Sequence, residues 1–163
     1  MDPDYGFGNG YPFPAGPRRE SRDTSLARAD ALILIGDCQP ELPVHGNPGF
    51  RARMIPAEMT ALRGVAVIAF SGIGRPEKFF RSLTESGASI RARYSFADHH
   101  PFTRREIEQL ISIAASEKAV LVTTEKDHVR IPADLRDRVQ VLTVRLQWEN
   151  NSDLLDMIVQ ANV

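Results

Sequence analysis

The chain has 163 residues, a formal net charge of −1 at pH 7 and a single cysteine, Cys38. This length suits one α/β domain and is short for two, since domains cluster near roughly 100–150 residues. The balanced charge excludes a basic field for nucleic acid, and one cysteine excludes an internal disulfide or a cysteine-built metal site. No apolar run reaches the roughly 18 residues of a membrane span, so the sequence predicts a chain that is soluble in the cytoplasm or at most attached to a membrane surface.

The N-terminal segment differs in composition from the rest of the chain. GFGNGYPFPAGP (6–17) holds four glycines and three prolines, which excludes regular helix. We therefore predict a Gly/Pro-rich loop or arm over residues 1–24 and an α/β domain over residues 25–163.

The first part of the predicted domain contains three strand patterns. ALILI, which starts at Ala31, is a short apolar run typical of a strand buried on both faces of a parallel sheet. FRARMI (50–55) alternates, which predicts an edge or half-exposed strand. VAVIAF (65–70) predicts a further buried strand, followed by a helix that begins near Pro76 and ends at Gly87.

The second part continues the alternation of strand and helix. SIRARYSF (89–96) alternates as a strand, and Thr103 and Glu106 have the spacing of a capping box. The helix after them is predicted to bury one apolar stripe: Ile107, Leu110, Ile111, Ala114 and Ala115. AVLVT (119–123) and VQVLTV (139–144) predict the last strands, and NSDLLDMIVQA (151–161) predicts a closing helix. The predicted fold class is α/β, a mostly parallel sheet flanked by helices.

Three polar loops follow strands of this predicted sheet: SGIGRPEKF, ADHHPF and TTEKD. In open parallel sheets, ligands bind beyond the carboxyl ends of the strands, where loops lead into helix N-termini. The loops are therefore expected to share one edge of the sheet and to form a ligand site there.

In the first loop, Gly72 and Gly74 allow a tight turn and a close approach to a ligand, and the next helix offers its N-terminus to an anion. Arg75 would add a charge-assisted contact. The motif lacks the third glycine of the dinucleotide fingerprint, because Glu77 stands there, and it has no Walker lysine. The glycines could equally serve the turn alone.

In the second loop, Asp98 stands beside His99 and His100. A carboxylate can orient an imidazole and make it a better base near neutral pH. Neighbouring loop residues point different ways, so one histidine at most is expected to share a site with Asp98, and we favour His99. The alternative is that Asp98 caps the turn and both imidazoles are solvated. No metal site is predicted, and a metal-dependent phosphoesterase would need further aspartates that the sequence does not offer.

The third loop and the N-terminal arm carry further candidate cations. Lys126 could meet a phosphate as a point charge, although Thr124 or Asp127 could equally cap a short helix and the charges could simply be solvated. Arg19, after the PAGP turn, is a candidate anion contact or part of a solvated basic loop.

Four ordered segments together resemble a known family. GFGNG…PAGPRRE…LARADALILIG, AFSGIGRPEKFF, FADHHPFT and LVTTEKDHVRIP have the order and spacing found in the tetraacyldisaccharide 4'-kinases of lipid A biosynthesis, over nearly all of residues 6–146. The resemblance implies a P-loop-type kinase at the cytoplasmic face of the bacterial inner membrane. Such an enzyme uses ATP and Mg²⁺ to phosphorylate the 4' hydroxyl of a lipid A disaccharide 1-phosphate.

The resemblance also implies roles for residues of this chain. It makes His99 the partner of a catalytic aspartate that activates the sugar hydroxyl, with Asp98 shaping the same loop. Arg19 falls on an arginine that contacts nucleotide phosphates. The GIGRPEKF and TTEKD signatures are implied to be phosphate-facing or architectural, and their candidate binding residues are Gly72, Gly74, Arg75 and Lys126.

The sequence lacks the family's nucleotide-binding motifs. It contains no G-x-x-x-x-G-K-[ST] and no strand that ends in an acidic Walker B pair. The chain therefore resembles the C-terminal half of the family, and ATP and Mg²⁺ are expected to be bound mainly by the N-terminal half. The chain alone is expected to be inactive, and the alternative is a non-catalytic remnant that binds an anionic sugar or a nucleotide.

Overall fold

The computed structural model describes residues 11, 13–15, 19–36, 48–57 and 62–149. The chain divides into two compact units, one of Met1–Met54 with Leu146–Val163 and one of Ile55–Arg145. The predicted closing helix and Cys38 lie outside the described residues.

The helices and strands alternate along the chain. In order, they are α1 (Arg22–Ala27), β1 (Leu32–Ile35), β2 (Gly49–Pro56), β3 (Ala66–Ser71), α2 (Pro76–Glu85), β4 (Ser89–Ser95), α3 (Arg104–Ser116), β5 (Val120–Thr124), α4 (Glu125–His128), a 3-10 helix (Ala133–Arg138), β6 (Gln140–Leu142) and β7 (Val144–Trp148).

A three-stranded sheet has the order β1-β2-β7, with β1 parallel to β2. Of β1, Leu34 alone is buried, so this strand is more exposed than its apolar run predicts. The short helix α1, which the sequence analysis did not predict, begins within the last residues of the predicted arm. Its N-cap is Ser21, whose hydroxyl accepts a hydrogen bond from the Thr24 N–H at 3.2 Å.

The unit of Ile55–Arg145 is built on a four-stranded sheet of order β4-β3-β5-β6, in which every neighbouring pair is parallel. Side chains of β3 alternate between its two faces. Ile68 and Phe70 join the apolar cluster that includes residues of α3. Val67 and Ala69 join the cluster that includes residues of α2. Helices therefore cover both faces of this sheet, as the predicted fold class requires.

Residues at the ends of α2 and α3 determine where these two helices begin or end. Pro76 opens α2, and Gly87, at φ 82°, follows its end. At the start of α3, the Thr103 N–H donates to Glu106 Oε2 at 2.8 Å and the Glu106 N–H donates to Thr103 Oγ1 at 3.3 Å, which confirms the capping box. The predicted stripe on α3 is wrong at Ala115, which is exposed because the helix turns this position away from the sheet.

The prediction of one last strand over residues 139–144 is wrong. The segment divides into β6 in the four-stranded sheet and β7 in the three-stranded sheet. The break falls at Thr143, whose carbonyl oxygen accepts a hydrogen bond from the Ala57 N–H at 2.9 Å. Alternating hydrophobicity marks strand residues but carries no information on which sheet a strand joins.

Candidate functional site

The three polar loops meet at the carboxyl edge of the four-stranded sheet. Because β4, β3 and β5 are adjacent and parallel, the chain leaves all three strands at the same edge. The His99 N–H donates to the Gly72 carbonyl oxygen at 2.9 Å, which joins the second loop to the first. The Gly72 N–H donates to Asp127 Oδ2 at 3.1 Å, which joins the first loop to the third. The expectation that these loops share one edge is confirmed.

Asp127 is the residue on which this meeting depends. Its side chain is fully buried. Its Oδ2 atom accepts hydrogen bonds from Ser71 Oγ at 3.0 Å, from the Gly72 N–H at 3.1 Å and from Thr124 Oγ1 at 2.8 Å. Its Oδ1 atom accepts from the Arg130 guanidinium at 3.3 Å. A buried carboxylate is stable where it is fully hydrogen-bonded and paired in this way.

Sequence reasoning missed this role of Asp127, which it treated as a cap or as part of a solvated charge run. The N-cap of α4 is Thr124, whose hydroxyl accepts from the Asp127 N–H at 3.1 Å. The available signal was the Thr-x-x-Asp spacing directly after a buried strand. That spacing places an acidic side chain in the first turn of a helix, close to the end of the neighbouring strand.

Both backbone polar groups of Gly72 form hydrogen bonds. Its N–H is bonded to Asp127, and its carbonyl oxygen accepts from the His99 N–H and from Arg130 Nη1, the latter at 3.2 Å. A Cβ atom at position 72 would lie 3.2 Å from the Ala97 carbonyl oxygen and 3.2 Å from His100 Cβ. Glycine is required here because the backbones of the two loops approach so closely.

The other candidate binding residues stand nearer the surface of this edge. Gly74 is exposed, and a Cβ atom there would lie 3.3 Å from Asp98 Oδ2, so the first two loops are also close at this point. Arg75 is half-buried at the N-cap of α2. Lys126 is exposed in the first turn of α4. Arg19 lies in the other unit, where it is exposed.

His99 presents a solvated imidazole. Its side chain is 82% exposed, and its Nε2 atom lies 3.9 Å from Asp98 Oδ1, which is the distance of a loose ion pair rather than a hydrogen bond. Its backbone has φ 61°, in the left-handed region that residues other than glycine seldom occupy. The bond from its N–H to Gly72 holds this conformation.

His100 points into the protein instead. Its ring stacks on Phe96 with centroids 4.8 Å apart, and its Nε2 atom lies 3.0 Å from Glu106 Oε1. Hydrogen bonds from the Thr103 N–H and hydroxyl, and then the contact with His100, lower the pKa of Glu106. His99 is thus the histidine that lies beside Asp98, whereas His100 is bonded to Glu106, and a shared site of His99 and Asp98 stays a prediction.

Among the described residues, no group of three or more His, Cys, Asp or Glu side chains could hold a metal ion. Within the same part of the chain, no helix is both long enough and apolar enough to cross a bilayer.

These features define an α/β protein in which strand-to-helix loops meet at the carboxyl edge of a parallel sheet. The crystal structure of the "apo" form of LpxK from Aquifex aeolicus in complex with ATP has this fold. It matches with a TM-score of 0.65 and 23% sequence identity, over 98% of this chain and 50% of that chain. The predicted class, the mostly parallel sheet of a P-loop-type kinase fold, is confirmed.

Sequence comparisons give the family. The family model for LpxK, tetraacyldisaccharide-1-P 4'-kinase, matches residues 1–162. The tetraacyldisaccharide 4'-kinase of Paramagnetospirillum magneticum is 51% identical over 168 residues, which cover 100% of this chain and 52% of that protein. That of Rhodospirillum centenum is 46% identical over 169 residues, or 98% of this chain and 48% of that protein. The chain belongs to the tetraacyldisaccharide 4'-kinase family and spans about half the length of these curated relatives.

Proposed function

We propose that this chain supplies the hydroxyl-activating half of an enzyme that phosphorylates the 4' hydroxyl of a tetraacyldisaccharide 1-phosphate with ATP. Membership of the family supports the reaction class. The observation that carries the proposal is the exposed imidazole of His99, held at the carboxyl edge of the sheet beside the glycine-containing loop. Ligands of parallel α/β proteins bind at this edge.

His99 is proposed to pair with the catalytic aspartate that the family resemblance implies. As the 4' hydroxyl oxygen bonds to the γ-phosphorus of ATP and the bond from that phosphorus to ADP breaks, the hydroxyl proton passes to this aspartate–histidine pair. A histidine suits this step because its ordinary pKa lies close to neutral pH. Asp98, whose Oδ1 atom lies 3.9 Å from His99 Nε2, is proposed to shape the same loop. The family resemblance adds a catalytic aspartate from the part of the enzyme that this chain does not cover.

Gly74, Arg75 and Lys126 are proposed to face phosphate groups of ATP or of the lipid. They lie on two loops of the same edge, and the N-terminus of α2 adds its positive dipole end. Gly72 is proposed to act through the shape of the loop, since its peptide is already bonded within the protein. The assignment of Arg19 to nucleotide phosphates rests on the family resemblance.

Mg²⁺ is the metal that the family resemblance implies. The described residues contain no carboxylate cluster that fits it. We propose that its ligands and the P-loop belong to the part of the family that this chain does not cover. The lipid substrate would place the complete enzyme at the cytoplasmic face of the bacterial inner membrane.

A second candidate is a non-catalytic remnant that binds an anionic sugar or a nucleotide. It is favoured by the absence of a Walker lysine from the given sequence. Calorimetry of the chain with ATP, and separately with tetraacyldisaccharide 1-phosphate, would reveal such binding.

The enzymatic proposal is tested with a chimera of this chain and the part of the Paramagnetospirillum magneticum relative that it does not cover. Once cooperative unfolding shows that the chimera is folded, transfer of labelled phosphate from ATP to the lipid is measured. His99→Ala should lower the rate by about 10²–10⁴-fold, the usual contribution of acid–base catalysis. The matched control is His128→Gln, because His128 is bonded to the Arg136 carbonyl oxygen instead of to these loops. A folded chimera that transfers no phosphate would exclude the enzymatic proposal.

A further inference from the structure

The backbone N–H and carbonyl group of Gly72 are part of a closed ring of hydrogen bonds. Asp127 Oδ2 accepts from its N–H at 3.1 Å, and Arg130 Nη1 donates to its carbonyl oxygen at 3.2 Å. Arg130 and Asp127 then close the ring through their own contact of 3.3 Å. The N–H and the carbonyl group of Gly72 belong to the two peptide planes that meet at its Cα atom, and one pair of charged side chains holds both groups. The pair therefore fixes the orientation of both planes.

This charged pair is more than the local helix requires. Thr124 already caps α4, which is four residues long. A fully buried carboxylate carries a large desolvation penalty, and well-packed apolar residues often replace such pairs without loss of stability. The charged pair therefore indicates a role outside α4. Its bonds to Gly72 indicate that this role concerns the neighbouring loop.

The Gly72 carbonyl oxygen also binds the backbone of His99. The His99 N–H donates to the same carbonyl oxygen that Arg130 contacts. A residue with a side chain keeps a positive φ only where its surroundings enforce it, and His99 has φ 61°. Rotation of the peptide plane between Gly72 and Ile73 would move this carbonyl oxygen away from the His99 N–H. His99 would then no longer be held in the backbone conformation that orients its imidazole.

We propose that Asp127 and Arg130 are positioning residues that set the location of the His99 imidazole through the backbone of Gly72. Neither side chain needs to touch a substrate for this role. The effect on catalysis rests on the proposed function of His99, whereas the mechanical link does not and can be measured on this chain alone.

The mechanical link is tested by amide hydrogen exchange, read by NMR, on the chain with Arg130→Met. Methionine keeps much of the length of the side chain and removes both donor contacts. Exchange at the His99 and Gly72 N–H groups should speed up by roughly five- to tenfold, about the effect of one hydrogen bond, while Leu110 in α3 stays protected. The matched control is Arg136→Met, since Arg136 donates to the Ile131 and Val129 carbonyl oxygens and not to Gly72.

The catalytic consequence is tested in the same chimera. Arg130→Met should lower kcat by about 10²-fold with little change in KM, because misplacing a reacting group lowers the rate without weakening ground-state binding. Arg130→Lys should recover part of this loss, since an ammonium can keep one of the two contacts. Asp127→Asn should resemble Arg130→Met, because its amide would turn a donor toward the guanidinium.

The outcomes separate the two proposals. The inference is overturned if Arg130→Met leaves exchange at His99 unchanged, or if it lowers kcat no more than Arg136→Met does. A merely structural role would lower the melting temperature of both arginine variants without a selective change at His99. If the parent chimera transfers no phosphate, the proposed function fails, while the exchange data still decide whether the link exists. If Asp127→Asn does not fold, the Arg130 variants carry the test.

Discussion

Replacing Asp127 by alanine should destabilise the unit of Ile55–Arg145 far more than a surface substitution does. The change removes four hydrogen bonds to a buried carboxylate and leaves the Arg130 guanidinium, whose side chain is 21% exposed, without its charged partner. Hydrogen bonds to charged groups contribute about 1.5–3 kcal/mol each, but their losses do not add, because water and relaxation satisfy some of the donors. Breaking a buried ion pair costs about 3–5 kcal/mol, and we adopt that range.

The assay is urea denaturation of the chain, followed by far-UV circular dichroism. Asp134→Ala is the control, since it also removes a carboxylate bonded to an arginine, but on the exposed 3-10 helix. Asp127→Asn should fall between the parent and Asp127→Ala, because an amide oxygen can still accept at the Oδ2 position. If Asp127→Ala loses no more free energy of unfolding than Asp134→Ala, the central place given to this carboxylate is wrong.

Three further substitutions test other parts of the structure. Gly72→Ala should destabilise by about 1–3 kcal/mol in the same urea assay, because its Cβ atom would press on the Ala97 carbonyl oxygen. Leu83→Ala should cost about 2–5 kcal/mol, because it empties a fully buried position of α2; a smaller loss would mean that α2 is loosely packed. Glu106 has a lowered pKa in the folded chain, so its charge adds stability above the unfolded pKa of about 4.3, and that stability is lost as pH falls through the lower folded value. Glu106→Gln should therefore lower the melting temperature at neutral pH, with a difference that shrinks below about pH 4; an equal difference at both pH values would contradict this.

Much of the fold could be predicted because its signals are local. Pro76 and Gly87 mark the ends of α2, and the Thr103–Glu106 pair marks the start of α3. The alternation of strands and helices then implied a parallel sheet, and a parallel sheet gathers its loops at one edge. The meeting of the three polar loops followed from topology alone.

What the sequence did not predict depends on contacts between distant residues. A Thr-x-x-Asp pattern is the same whether its carboxylate faces water or, like Asp127, turns inward to Ser71 and Gly72. The division of the last strand at Thr143 was missed for a similar reason, because both parts have strand-like alternation. The roles of His99, Arg75 and Lys126 remain proposals, since they concern ligands rather than the fold.

This edge of the sheet is proposed to activate a sugar hydroxyl through His99. The most direct measurement is single-turnover transfer of labelled phosphate from ATP to tetraacyldisaccharide 1-phosphate by the folded chimera, with and without His99→Ala. We predict that the parent transfers phosphate and that the variant binds ATP equally well but reacts about 10²–10⁴-fold more slowly. Equal rates in the two proteins would contradict the account.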